Sequence, residues 1–211
     1  MESTIVASET LLPGDTIVMN TPRTLLELSG ADLTPASPEN ATLVLIDMQN
    51  EYLEGPLALP GASAAVSRAG ALLSEARRVG GRIVHVYHRG RAGSLFDREH
   101  RRGQVIDGLE PLPGEALVEK ALPNAFAGTD FGEVLQAIGH NDLIIIGFMT
   151  HMCVSSTARA ALDHGYRVTI DARACATRDL PDGRGGIVDA NTLHRVALTE
   201  LSDRFAIIAD Q

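Results

Sequence analysis

Two hydrophobic patterns alternate along this chain. Five nearly continuous apolar runs have strand length: ATLVLID at 41–47, RIVHVYH at 82–88, DLIIIG at 142–147, YRVTIDA at 166–172 and FAIIAD at 205–210. EALVEK at 115–120 adds a short strand. Between them apolar residues recur at helical spacing, in GASAAVSRAGALLSEARRVGG at 61–81, TDFGEVLQAIGH at 129–140, CVSSTARAALDHG at 153–165 and DANTLHRVALTELSD at 189–203. The first of these ends in Gly-Gly, a ready C-cap; the second opens on Thr-Asp and stops at a glycine. Strands that are apolar on both faces and alternate with helices predict an α/β fold. Its parallel sheet should be covered by helices on both sides.

Residues 1–40 break the pattern, being rich in Ser, Thr, Pro and acids. NTPRTLLELSG is expected to form a short helix with Pro22 in its first turn, and ADLTPASPEN reads as a linker. This segment is expected to be an arm packed on the domain of residues 41–211 or on a neighbouring subunit. A long charged loop is expected from about 89 to 114.

Composition narrows the function classes. Aromatics are 4% with no Trp, so the core must be aliphatic. A net charge of -9 argues against a nucleic-acid partner, which needs clustered cations. The densest basic stretch, HRGRAGSLFDREHRRG, also carries acids and reads as a solvated loop. No apolar run approaches a membrane span of roughly 18 residues, and the N-terminus lacks the pattern of a secretory signal. Two cysteines, Cys153 and Cys175, are too few for a disulfide framework, so a cytoplasmic protein is the default.

In open parallel sheets, ligands bind beyond the carboxyl ends of the strands. The first strand ends in Asp47, EALVEK ends in Lys120, and DLIIIG runs through a turn to Cys153 at the start of a helix. A helix N-terminus and a nearby ammonium both lower a thiol pKa. A carboxylate can take the thiol proton and later return it to a leaving group. Asp47, Lys120 and Cys153 are therefore sufficient for amide hydrolysis through a thioester, with no cofactor. Taken singly, each has a bland reading: a turn aspartate, a solvated lysine, a buried small apolar residue.

LVLIDMQNEYL, LVEKALPNAF, IIIGFMTHMCVSSTARAALDHGY and DARACATRD together resemble the isochorismatase-like cysteine hydrolases, over about residues 41–210. The resemblance implies a three-layer α/β/α sandwich with a six-stranded, mainly parallel Rossmann-like sheet. It implies Asp47 as base, Lys120 as cation and Cys153 as nucleophile. It also implies a cis peptide bond at Phe148–Met149, which would aim the Met149 N–H, with that of Cys153, at the substrate oxyanion. A homo-oligomer, dimer or tetramer, acting on a small molecule is expected.

Two departures bear on substrate. Nicotinamidases carry an Asp-x-His metal site after the second strand. Here His88 and His100 are present without an Asp two residues before His88, so no metal is expected and His88 reads as a polar residue at the pocket edge. True isochorismatases commonly lack the cysteine and cleave a vinyl ether; Cys153 favours amide, carbamoyl or ureide chemistry. That vinyl ether reaction and a catalytically silent binding protein stand as the alternatives. Tyr52, Phe126 and Phe148 either line an apolar slot or pack beneath the sheet edge. Gln49 is placed to orient a loop or the substrate, and Phe96 to act as a lid. His151 could face the pocket or a subunit interface, and Cys175 reads as structural.

Overall fold

A computed structural model describes residues 21–209. The elements follow in order as α1 (Leu25–Leu28), β1 (Thr42–Ile46), α2 (Glu51–Glu54), α3 (Ala62–Arg78), β2 (Arg82–His88), β3 (Ala116–Lys120), α4 (Phe131–Ile138), β4 (Asp142–Phe148), α5 (Ser155–Asp163), β5 (Arg167–Ala176), β6 (Leu180–Pro181), β7 (Ile187–Val188), α6 (Ala190–Arg204) and β8 (Ile207–Ala209). Six strands form one sheet in the order β3-β2-β1-β4-β5-β8, and β6 and β7 form a separate small ladder. Every neighbouring pair in the large sheet is parallel.

The period of two along a strand sorts its side chains to opposite faces. Leu43 and Leu45 of β1 join a core with Ala65, Ala69 and Leu73 of α3. Val44 and Ile46 join the other core, with Phe131 and Leu135 of α4, Ala158 and Ala161 of α5, and Leu198 and Leu201 of α6. The molecule is thus the three-layer sandwich that the apolar runs predict. Among the described residues no helix is long and apolar enough to cross a membrane.

Chain order reverses between β1 and β4, which creates a crevice at their carboxyl ends. Gly147 sits there at φ +123°, where a Cβ would lie 2.0 Å from the Ile46 carbonyl oxygen, so no larger residue fits between the strands. Beyond it the β4–β5 register shifts: Ile145 pairs with Ile170, but Gly147 pairs with Cys175. This irregularity carries β5 past YRVTIDA to Ala176.

Three local expectations change. α1 starts at Leu25 behind a Thr24–Glu27 capping box, so Pro22 precedes the helix instead of sitting in its first turn. α5 starts at Ser155, and Cys153 lies in a π-helical turn, Thr150–Val154, ahead of it. The short helix α2 follows Asp47 where periodicity gave no signal.

Candidate active site

Asp47 follows β1 at φ +51°, a left-handed conformation that Asp tolerates better than most residues. Its backbone N–H donates to the Val86 carbonyl at 2.8 Å, which fixes it to the end of β2. Lys120 ends β3, two strands away from β1, in register with His88. Its long stem reaches past His88 so that Nζ donates to Asp47 Oδ2 at 2.7 Å and to Cys153 Sγ at 3.4 Å. The structure therefore brings the three strand-end residues together. Asp47 is wholly buried, Lys120 is 2% exposed and Cys153 4% exposed.

A buried ion pair needs its remaining polar atoms satisfied. Asp47 Oδ1 is buried and has no hydrogen-bond partner. It is the acceptor left for a thiol proton or a water. Burial first, then the Asp47 charge, pushes the Cys153 thiol up to about 12, with Lys120 opposing. The sequence-based expectation of a thiol lowered by the lysine and the helix N-terminus is thus reversed, because desolvation outweighs the single cation. The shift favours the protonated thiol over the thiolate.

The structure sorts the remaining site residues. Tyr52 and Phe148 meet edge-on at 5.3 Å, and Tyr52 tilts against Phe96 at 5.2 Å. The Tyr52 hydroxyl pKa is raised by burial first and then by Asp47 and Cys153. Phe96 is buried within this aromatic cluster and touches His88 at 5.0 Å. Phe126 is not brought to the site. It stacks on His164 at 4.4 Å, eleven residues beyond Cys153 and past the far end of α5, because the turn after Lys120 folds back along that helix. Gln49 holds the fold: Nε2 donates to the His88 and Gly103 carbonyls and Oε1 accepts from the His88 N–H, so it orients the loop and both its N–H donors are taken. His151 contacts Thr177 through Nδ1, and Thr150 contacts His194, tying the π-turn to the residue after β5 and to α6. Cys175 is buried within the core below that turn.

Arg178 stands outside the residues that the strand ends point to. Its Nε is buried without a hydrogen-bond partner, and its charge acts on both Tyr52 and His151. The signal available was a cation just after the fifth strand's carboxyl end, in DARACATRD. His88, expected as a polar residue at the pocket edge, has its Nδ1 3.4 Å from Lys120 Nζ. His100 is exposed in the long loop, away from His88. Among the described residues no group of three or more His, Cys, Asp or Glu could hold a metal ion. A cavity of about 650 Å³ opens between α3, β5 and α6; Thr177 and His194 join its wall to the turn that carries Cys153.

Comparison with known proteins agrees with this architecture. The isochorismatase domain family model matches residues 41–211. The chain is 37% identical to the secreted isochorismatase effector Isc1 of Verticillium dahliae, over 85% of this chain and 92% of that protein. The crystal structure of an isochorismatase from Pseudomonas putida KT2440 superposes with a TM-score of 0.86 at 46% identity, covering 89% of this chain and 96% of that one. N-carbamoylsarcosine amidase from Thermoplasma acidophilum superposes with a TM-score of 0.68 at 26% identity, covering 80% and 95% of the two chains.

Proposed function

The chain belongs to the isochorismatase family of hydrolases, and from that premise we propose that it is a cysteine hydrolase cleaving a C–N bond of a small-molecule amide, carbamoyl compound or ureide. One observation carries this reading: Lys120 bridges Asp47 and Cys153 while Asp47 Oδ1 has no partner. Asp47 takes the Cys153 proton as sulfur bonds to the substrate carbonyl carbon. The Met149 and Cys153 N–H groups hold the oxyanion. Asp47 then protonates the leaving nitrogen, the C–N bond breaks and ammonia or an amine departs. Water, deprotonated by Asp47, attacks the thioester; the C–S bond breaks and the thiol regains its proton. Tyr52 and Phe148 form the apolar wall. Arg178, whose buried Nε lacks a partner, suits a substrate that carries an anionic or strongly accepting group.

Residues 41–211 form the hydrolase domain in this reading and 1–40 the arm. The two free cysteines support a cytoplasmic location, and exposed Met152, Ile187 and Val196 around the turn and α6 support a homo-oligomer. The test is a hydrolysis screen over nicotinamide, N-carbamoyl compounds, ureides, small aliphatic amides and isochorismate. On the amide that turns over, Cys153→Ala should lower kcat by about 10³-fold or more. Arg178→Met should raise KM for anionic substrates well above its effect on neutral ones. Wild-type turnover by Cys153→Ala overturns the mechanism.

A further inference from the structure

Lys120 has three N–H bonds to place and no acceptor of its own. Asp47 Oδ2 and Cys153 Sγ take two of them. The third neighbour is His88 Nδ1, at 3.4 Å. Opposite an ammonium, Nδ1 must be the acceptor, so the ring proton sits on Nε2. Several contacts hold the imidazole in place. The β2–β3 register sets His88 beside Lys120. Gln49 grips its backbone at both the N–H and the carbonyl. Phe96 packs on the ring at 5.0 Å.

We propose that His88 is a positioning residue: as the neutral Nε2–H tautomer it accepts a hydrogen bond from Lys120 and holds the ammonium between Asp47 and Cys153. The inference rests on the reading that Lys120 supports the reacting thiol, and extends the site by a fourth member. The charged groups that act on His88 are Lys120 from β3 and Asp47 at the end of β1; Cys153 in the π-turn bonds to the ammonium, and Glu51 and Arg178 act on the neighbouring Tyr52 of α2. Burial, then Lys120, lowers the His88 pKa from 6.5, against Asp47. Both causes favour the neutral ring. Once protonated, an imidazolium cannot accept and repels Lys120.

The probe is iodoacetamide alkylation of Cys153 in the folded full-length chain, followed by peptide mass from about pH 5 to about pH 9. His88→Leu fills the space without an acceptor, and His88→Asn keeps an acceptor near the Nδ1 position but does not titrate. His88→Leu should alkylate about five- to tenfold more slowly at neutral pH, the worth of one hydrogen bond, and His88→Asn should recover to within about twofold of wild type. The wild-type log rate should break to a steeper slope on the acid side of 6.5, and the Asn variant should lack that break. The Asn profile decides the matter even where the Leu variant fails to fold. Equal slowing in both variants, or a break that persists in Asn, reduces His88 to packing and overturns the inference. A wild-type rate in His88→Leu beside a slowed Lys120→Met overturns it while leaving the lysine's role intact. An unchanged rate in Lys120→Met sinks the reading beneath it as well.

Discussion

Cys153 and Cys175 are both buried thiols pushed up to about 12, in each case by burial first. In the unfolded chain a thiol ionises near 8.5. Between these values the unfolded chain has lost protons that the folded chain retains. Their contribution to stability is therefore complete below the unfolded value and is lost as pH rises toward about 12. Urea midpoints measured on the alkaline side should fall steadily with pH, and Cys175→Ala should flatten that slope even though it lowers the midpoint itself. A midpoint that holds level through this window would contradict the burial of both thiols. At this scale the identities of Asp47, Lys120 and Cys153 were legible, because each is a reactive residue where an apolar run or its turn ends. The direction of the thiol shift was not. A sequence shows a helix and a lysine near the cysteine, but not how much solvent has been removed.

At the scale of elements, the long loop after β2 is fastened to the turn after β1. Gln49 and Asn50 donate to carbonyls of Gly103, Arg101 and Val105, and the Ile106 N–H donates to the Met48 carbonyl. Gln49→Leu would strip three hydrogen bonds and leave the part-buried N–H and carbonyl of His88 without that partner, while the Gly103 carbonyl keeps its bond from Arg98. A loss of about 2–3 kcal/mol is expected. Amide exchange should accelerate across residues 89–106, with the central strands protected as before; protection unchanged in the loop would refute the fastening. The six strands of the large sheet and helices α3 to α6 followed from periodicity. The π-turn, α2 and the β6–β7 ladder did not, since a single helical turn or a two-residue strand is too short for a period to register. Which of its two readings Phe126 takes was not legible for a related reason: its neighbourhood in sequence to Lys120 says nothing about the direction in which the chain leaves β3.

Across the whole molecule, residues 21–40 lie on their own sheet domain. The Leu25 N–H donates to Asp203, the Ala36 N–H to Thr169, and Arg167 to the Asp32 and Thr34 carbonyls. The sequence left open whether this arm packs on its own domain or on a neighbour; residues 1–20 lie outside the described structure. A chain of residues 41–211 should keep its far-UV circular dichroism, since both cores lie within it apart from the packing of Ala36. It should melt lower by about 5–10 °C, from the loss of a few hydrogen bonds. An unchanged melting temperature would show that these contacts are worth nothing in solution.

The sequence by itself determined the layered α/β architecture and the three residues to watch, because hydrophobic period and strand-end chemistry are local and are written in consecutive positions. Only the tertiary structure decided how those residues meet. The sheet order sets Lys120 two strands from Asp47, with His88 in register between them. Burial then leaves one oxygen of Asp47 without a partner and raises the thiol pKa. These are properties of distance and desolvation across the fold, which no stretch of consecutive residues contains.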